Sequence, residues 1–262
     1  MIHKTSIISE GAKISDNVEI GPYCVIGPQV SIDSGTIIHS HVNIMGNTSI
    51  GLGNEIFPFA SIGNNPQDLK YQGEENSLII GNNNKIREYV NINPGTKGGG
   101  TITRVGNDNL FMVFSHIAHD CQIGNNIVLA NSVQVGGHVT IEDNAIVGGS
   151  CAIHQYSRIG ELAMIGGMTG VLSDVIPFGL SLGNRNYLNG INLIGLRRAK
   201  ISNENIKIVV KAYKEIFKSA FYRENIKNLN GQFKNNKFVE KIIKFINADK
   251  KRPISTPDNI KW

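Results

Sequence analysis

Cysteines, aromatic residues and long apolar runs are all scarce in this chain. The three cysteines, Cys24, Cys121 and Cys151, are too few and too scattered for a disulfide framework or a zinc-binding spacing. No run of about 18 apolar residues exists, and the N-terminal stretch lacks the apolar core of a signal peptide. We therefore expect a cytoplasmic protein with no stable membrane insertion.

The composition also argues against a conventional globule. Aromatic residues make up only 7% of the 262 residues, whereas glycine occurs 29 times and 40% of the chain is apolar. This combination predicts many tight turns around a thin core of β-branched residues.

The formal charge of +5 conceals an asymmetry along the chain. Residues 195–262 hold 17 basic and 6 acidic residues, a balance of +11, whereas residues 1–194 hold 9 and 15, a balance of −6. A basic C-terminal segment on an acidic body indicates either an acidic partner or a solvated helix face.

A six-residue repeat dominates the sequence. Isoleucine stands at every sixth position from Ile2 to Ile62, and a small or β-branched residue follows four places later in nearly every hexad. The register resumes at Ile80 and again at Val105, from which it runs unbroken to Val171. All three cysteines occupy the fifth place of their hexads, so we expect them to be reduced core residues.

A period of six predicts a parallel β-helix, in which a short strand and a turn alternate. Three hexads would form one triangular coil of 18 residues with aliphatic side chains stacked inside, and in the hexapeptide families this coil is left-handed. We predict a mainly β, left-handed parallel β-helix over residues 1–190, with loop excursions at 63–78 and 97–104. The lysine-rich remainder, 191–262, shows two helical apolar stripes, the first preceded by the plausible N-cap Ser202, and should form a C-terminal α-helical domain over the end of the coil.

A coil of 18 residues places residues 18 apart above one another. His119 should then lie below Gly137 and Gln155, and Asp120 below His138. This stacking predicts one patch made from residues spread over 37 positions: His119, Asp120, Gly137, His138, His154 and Gln155.

The patch permits more than one chemistry. A histidine beside an aspartate suits a general base with its orienting carboxylate, and backbone N–H groups could stabilise an oxyanion. Three histidines on a β-helix instead resemble the zinc site of γ-class carbonic anhydrases. A structural trimer without chemistry is the third possibility, and His116 is equally open to a site role or a turn role.

Five segments of the chain together resemble a known enzyme family. SHIAHDCQIGNN, ANSVQVGGHVTI, IVGGSCAIHQY, NPQDLKY and GINLIGLRR are similar to the UDP-N-acetylglucosamine O-acyltransferases that begin lipid A synthesis. The resemblance implies transfer of an (R)-3-hydroxyacyl chain from acyl carrier protein to the 3-hydroxyl of UDP-N-acetylglucosamine. It implies no metal, no other cofactor and no nucleic-acid partner.

The resemblance also assigns roles to individual residues. It implies that His119 is the base, that Asp120 orients it and that the Gly137 N–H stabilises the oxyanion. The residues implied to bind the sugar nucleotide are Asp68, Lys70, His138, His154, Gln155, Asn192 and Arg198.

Two further expectations concern the acyl donor. Gly167 occupies the position that sets chain length in the family, and an open groove there implies a long hydroxyacyl group of about 14 carbons. The basic C-terminal segment offers a docking surface to the acidic carrier protein. In the family the site lies between subunits of a homotrimer, a closed assembly that a three-sided prism allows.

The chain departs from the family pattern at two places. Asn93 and Pro94 stand where a histidine and an arginine are common, and Ile194 stands where glutamate is frequent. Relatives that acylate a 3-amino sugar nucleotide therefore remain an alternative. A sister N-acyltransferase is less favoured, because its family carries an extra N-terminal domain and the hexads here begin at residue 2.

Overall fold

The structure is a computed structural model that describes residues 1–249 and 251–258. Isoleucines of successive hexads point inward from two-residue strands, and the strands stack in parallel, for example Ile117 beside Val135 and Val135 beside Ile153. The predicted left-handed parallel β-helix is confirmed. Burial of each isoleucine contributes about 1.5–3 kcal/mol, so the stacked column is the main source of stability.

The strands form the three faces of the prism, which we call sheets I, II and III. Sheet I contains β1 (Ile7–Ile8), β4 (Val25–Ile26), β7 (Asn43–Ile44), β10 (Ser61–Ile62), β13 (Asn91–Ile92), β16 (His116–Ile117), β19 (Gln134–Val135), β22 (Ala152–Ile153) and β25 (Gly170–Val171). Sheet II contains β2 (Lys13–Ile14), β5 (Ser31–Ile32), β8 (Thr48–Ile50), β11 (Ser77–Ile80), β14 (Ile102–Val105), β17 (Gln122–Ile123), β20 (Thr140–Ile141) and β23 (Arg158–Ile159). Sheet III contains β3 (Glu19–Ile20), β6 (Ile37–Ile38), β9 (Glu55–Ile56), β12 (Lys85–Ile86), β15 (Leu110–Phe111), β18 (Val128–Leu129), β21 (Ile146–Val147), β24 (Met164–Ile165), β26 (Gly179–Leu182) and β27 (Tyr187–Ile191), of which the last two pair antiparallel.

The chain visits the sheets in the order I, II, III, so each turn belongs to one of three corners. We name these the I/II, II/III and III/I corners. Many corner residues adopt positive φ, including Asp120 at +61° and His138 at +60°. A repeated left-handed residue turns the chain sharply without interrupting the stacking of the strands.

The three cysteines lie in the core as expected. Cys24, Cys121 and Cys151 are free and buried. Burial raises the pKa of Cys121 to about 12, so this thiol stays protonated and unreactive at neutral pH.

Two segments leave the coil on the same side of the molecule. The first lies between Ile62 and Ser77, and the second lies between Ile92 and Ile102 and contains a short 3₁₀ helix, Lys97–Gly99. Asn93 ties the two together, since its side-chain amide donates to the carbonyl of Asn64 at 3.2 Å. The residue that departs from the family pattern therefore fixes the start of the first loop.

The C-terminal helices form a second core on the last coil. They are α1 (Leu193–Arg198), α2 (Asn203–Ile216), α3 (Tyr222–Lys227), α4 (Gly231–Lys234) and α5 (Lys237–Ala248). Ser202 caps α2 by accepting from Asn205 N, as predicted. Ile176 and Phe178 at the end of the coil pack into the same cluster as the helices. The division at residue 190 stays a prediction, and Lys250 and residues 259–262 of the predicted domain lie outside the described residues.

None of the helices described is long and apolar enough to cross a membrane.

Candidate active site

The centre of the site is the pair His119 and Asp120 at the I/II corner, directly after β16. Nδ1 of His119 lies 2.8 Å from Oδ2 of Asp120, and the His119 side chain is only 12% exposed. The carboxylate thus selects the tautomer with a proton on Nδ1 and leaves Nε2 as the acceptor.

Asp120 is held by the glycine-rich loop, at Thr96, one residue before the predicted excursion 97–104. Its carboxylate accepts from the backbone N–H of Thr96 at 2.9 Å and from the Thr96 hydroxyl at 2.6 Å. Gly99 packs so closely on this carboxylate that a Cβ there would overlap it. The run of three glycines after Thr96 was the available signal, because it allows a backbone to approach a buried group.

Gly137 lies directly against the imidazole of His119. A Cβ at this position would come within 2.6 Å of Cε1 and 2.7 Å of Nε2. Among the described residues no carbonyl accepts from the Gly137 N–H. Gly137 therefore lies beside the imidazole with an N–H that no described carbonyl uses, and a backbone N–H near a base is a group that can stabilise an oxyanion.

His138 and Tyr156 continue the column above Asp120. The rings of His138 and Tyr156 stack at 4.3 Å with an interplanar angle of 3°, and His138 meets His119 edge-on at 5.0 Å. Burial lowers the pKa of His138, with Asp120 opposing this effect. His138 is accordingly favoured as a neutral hydrogen-bonding group at pH 7.

The first excursion loop folds over this corner. Oδ2 of Asp68 lies 3.9 Å from Nε2 of His119, and the exposed Lys70 lines the same cavity of about 340 Å³. Glu74 accepts from the backbone N–H of Lys97 at 2.9 Å, which joins the two loops. These contacts place two acidic residues, Asp68 and Glu74, and two basic residues, Lys70 and Lys97, around the cavity.

His154 and Gln155 lie higher on the same corner but farther out. Both are exposed, and Nδ1 of His154 lies 3.0 Å from the carbonyl oxygen of Gln155. Neither residue lines the cavity that Asp68, Lys70 and His138 enclose.

His116 sits on the outer side of sheet I. Burial lowers its pKa, since it is covered between its neighbours in adjacent coils, Asn91 and Gln134. It lies three residues before His119 and, among the described residues, forms no ion pair with the His119 and Asp120 pair.

Asn192 and Arg198 lie elsewhere, in a groove of about 830 Å³ along sheet III near the II/III corner. Asn192 caps α1 by accepting from Gly195 N at 2.9 Å, and its amide donates to Leu162 O at 2.9 Å. Arg198 is exposed at the end of α1. Of the described residues, none lines both this groove and the cavity at His119.

Gly167 lies at the inner end of the same face, by the III/I corner. A Cβ there would meet only Gly149, with its carbonyl oxygen at 3.2 Å. The space beside Gly167 is therefore open apart from the Gly149 backbone.

Three side chains at the centre could in principle hold a metal ion. The nearest ligand atoms of His119, Asp120 and His138 lie within 4.8 Å of one another. His154 does not belong to this group within the described residues, so a three-histidine zinc set is not assembled in one chain.

The fold and a sequence match to the bacterial transferase hexapeptide family over residues 11–46 together define a transferase of the hexapeptide-repeat class. Residues 174–255 match the second domain of UDP-N-acetylglucosamine O-acyltransferase. Relatives named acyl-[acyl-carrier-protein]–UDP-N-acetylglucosamine O-acyltransferase are 41–52% identical to this chain over at least 94% of its length, so the chain belongs to the UDP-N-acetylglucosamine O-acyltransferase family.

Individual relatives cover nearly the whole chain. The acyl-[acyl-carrier-protein]–UDP-N-acetylglucosamine O-acyltransferase of Rickettsia typhi is 52% identical over 252 residues, which is 96% of each chain. The solved UDP-N-acetylglucosamine acyltransferase of Francisella novicida is 37% identical with a TM-score of 0.95, over 99% of this chain and 95% of that one. The solved Arabidopsis UDP-N-acetylglucosamine acyltransferase is 32% identical with a TM-score of 0.86, and the match covers 97% of this chain and 100% of that one. This membership favours the acyltransferase interpretation over the carbonic anhydrase alternative.

Proposed function

We propose that this protein transfers an (R)-3-hydroxyacyl group from acyl carrier protein to the 3-hydroxyl of UDP-N-acetylglucosamine, the first step of lipid A biosynthesis. The observation that carries the proposal is the His119–Asp120 pair at 2.8 Å beside Gly137, whose N–H has no backbone acceptor among the described residues. The family's relatives are named for this reaction, and the three groups suit acyl transfer without a metal ion.

The chemistry follows from these positions. Nε2 of His119 removes the proton of the sugar hydroxyl as its oxygen attacks the thioester carbonyl, and Asp120 stabilises the imidazolium that forms. The Gly137 N–H stabilises the oxyanion of the tetrahedral intermediate. Collapse of the tetrahedral intermediate expels the thiolate of the carrier protein, which receives the proton that His119 removed from the sugar hydroxyl. His119 is therefore first the general base and then the general acid.

The acceptor binds along the I/II corner and the loop above it. Lys70 supplies a positive charge for the diphosphate, and Asp68 and the neutral His138 supply acceptors and donors for the sugar. His154 and Gln155 extend this surface outward. Asn192 and Arg198 hold the nucleotide end, where the guanidinium suits phosphate.

Within one chain, the base His119 and the groove that contains Arg198 lie at different corners of the prism. This separation supports a homotrimer with sites between subunits. His119 lies at the I/II corner, whereas the groove with Arg198 lies beside the II/III corner. Packing sheet I of one subunit on sheet III of the next brings these two corners together and places the III/I corner on the symmetry axis. One chain then supplies the base and its neighbour supplies the groove.

The surfaces of the faces fit this packing. The outward residues of sheet I carry no formal charge apart from the titratable His116, and those of sheet III from Leu110 to Leu180 are apolar. Sheet II instead exposes Lys13 and Arg104. Partly exposed rings stack along the III/I corner with centroids 4.8–5.1 Å apart, namely Tyr23, His41, Phe59, Tyr89 and Phe114. Depletion of charge and enrichment of aromatic residues are typical of interface cores.

The donor binds along the groove of sheet III. Its wall is apolar, with Ile146, Met164 and Leu180. We place the end of the acyl chain toward Gly167, where a Cβ would meet only Gly149. Arg197, Arg198 and Lys200 are exposed at its rim and suit an acidic carrier protein. The cytoplasmic location stays part of this proposal.

The test is acyl transfer from 3-hydroxymyristoyl carrier protein to UDP-N-acetylglucosamine and, in parallel, to its 3-amino analogue, with wild type and His119→Ala. We expect the hydroxyl sugar to react and the variant to lose about 10²–10⁴-fold in rate. If only the amino sugar reacts, the proposed role of His119 stands, but the acceptor is the 3-amino sugar nucleotide. Reaction of neither would overturn the proposal.

A further inference from the structure

The catalytic column ends at a buried carboxylate that the proposed mechanism does not use. Asp174 is fully buried, one coil above Tyr156, and accepts from Nε of Arg158 at 2.7 Å and from the Arg158 backbone N–H at 2.9 Å. It also accepts from Nε of Arg252 at 3.1 Å. Two guanidinium groups therefore share one carboxylate, and the second comes from the far end of the chain.

Arg252 uses the rest of its guanidinium on the corner itself. Nη2 donates to the Ser157 hydroxyl at 3.1 Å and to Leu172 O at 3.3 Å, and Nη1 donates to the carbonyl of Gln155 at 3.4 Å. The planar fork of donors thus connects the two uppermost turns of the I/II corner. The side chain is 19% exposed, so these contacts are only partly screened by solvent.

The turn that Arg252 holds contains Tyr156, which stands between Gln155 and Ser157 in the sequence. Tyr156 stacks on His138, and His138 contacts His119 edge-on. A displacement of this turn would move both the Gln155 carbonyl and the ring that supports His138. The turn held by Arg252 is therefore linked to His119 through two ring contacts, Tyr156 with His138 and His138 with His119.

The surrounding segment has other anchors that do not reach the turn Gln155–Ser157. Asp174 N–H donates to Pro253 O at 3.0 Å, and Ser255 N–H donates to Asp174 O at 2.8 Å. The Ser255 hydroxyl, which is buried, donates to Asn186 O. Loss of the Ser255 hydroxyl should therefore loosen the segment without changing the turn at Gln155.

We propose that Arg252 is a positioning residue for the sugar-nucleotide site, acting through the turn Gln155–Ser157; this inference rests on the proposed function. It fixes the top of the corner so that Tyr156 stays stacked on His138. The C-terminal segment thereby takes part in acceptor binding without touching the acceptor.

The test compares Arg252→Ala, Arg252→Lys and Ser255→Ala in the full-length protein. We expect Arg252→Ala to raise KM for UDP-N-acetylglucosamine about tenfold or more, the range expected from loss of hydrogen bonds to a charged donor, with a smaller change in kcat. Arg252→Lys should recover part of the loss. Ser255→Ala should lower the melting temperature while keeping KM within about twofold of wild type.

Assays are run well below the melting temperatures of all variants. An unchanged KM in Arg252→Ala, or an equal rise in Ser255→Ala, would overturn the positioning role. Should Arg252→Ala fail to fold, Arg252→Lys is compared with Ser255→Ala by the same KM criterion. Absence of acyl transfer in the wild type would refute the proposed function instead, and calorimetric binding of UDP-N-acetylglucosamine to the same variants would still decide the role of Arg252.

Discussion

The Asp120 carboxylate contacts Nδ1 of His119 at 2.8 Å and the Thr96 hydroxyl at 2.6 Å. Each carboxylate oxygen also has a fixed position, since Thr96 N–H binds the other oxygen. The orientation of the base therefore depends on a threonine 23 positions earlier in the chain. This dependence and the neighbouring contacts lead to five predictions.

Replacing Thr96 by Val should lower kcat by about tenfold or more. The substitution keeps the shape of the side chain and removes a hydrogen bond to a buried charged group, worth about 1.5–3 kcal/mol. Acyl transfer under saturating substrates is the measurement, with Thr140→Val on the outer side of sheet II as the control. Equal activity of the two variants would show that Thr96 does not orient the pair.

Gly137→Ala should abolish most activity without unfolding the coil. The added Cβ would lie 2.6–2.7 Å from the His119 ring, so the imidazole must move away from the acceptor. We expect a loss of about 10²-fold, as for other displaced catalytic groups. Gly231→Ala, where a Cβ meets nothing within 4 Å, is the matched control. Activity within twofold of the control would contradict the predicted displacement.

Gly167→Met should shift donor preference toward shorter acyl chains. Its Cβ would lie 3.2 Å from the carbonyl oxygen of Gly149, which is a tight contact. We expect the rest of the side chain to occupy the end of the proposed acyl groove. The ratio of rates with long and short 3-hydroxyacyl carrier proteins is the measurement, and it is internally controlled because one enzyme sample is used. A ratio equal to that of wild type would remove Gly167 from chain-length selection.

Mixing two inactive variants tests the shared site. The His119→Ala and Arg198→Ala variants are mixed in equal amounts, unfolded and refolded together. Activity should return, because in randomly mixed trimers about a quarter of the sites combine an intact His119 from one chain with an intact Arg198 from its neighbour. Each variant alone supplies the baseline. A mixture no more active than the better single variant would place both residues in one chain's own site.

The lowered pKa of His116 should make the stability of the protein depend on pH. Burial lowers this pKa, so the unfolded state binds more protons than the native state just below the ordinary value of about 6.5. The free energy of unfolding should then fall as pH is lowered through this region, by about 1.4 kcal/mol for each unit of pKa lowering. His116→Gln should reduce the fall in melting temperature between pH 8 and pH 5, whereas the exposed His3→Gln should not. Identical pH profiles of His116→Gln and wild type would refute the prediction.

The coil and the stacking of the site were predictable because the period is strict. Once 18 residues make a coil, His119 must lie beneath Gly137, and the geometry shows this contact. The positions of Thr96 and Gly99 were not predictable, because the glycine loop interrupts the period and returns to Asp120 from outside the register. Arg252 was likewise hidden, since no local pattern links it to a turn 95 residues earlier.

The groove shows a different kind of limit. Asn192 was predicted as a ligand-binding residue from the resemblance, but its side chain also caps α1. A capping asparagine and a binding asparagine look the same in a sequence. Only the distances to Gly195 and Leu162 show its capping role, and the binding role stays a prediction.

The strict register also governs how this molecule can change in length. A single deletion between His119 and Gly137 would rotate every later side chain one place around the prism and take Gly137 off the imidazole. Removal or duplication of a whole 18-residue coil would instead preserve each residue's direction and only change its height. Length variation is therefore quantised within the coils, and the two excursion loops are the places where it can be continuous.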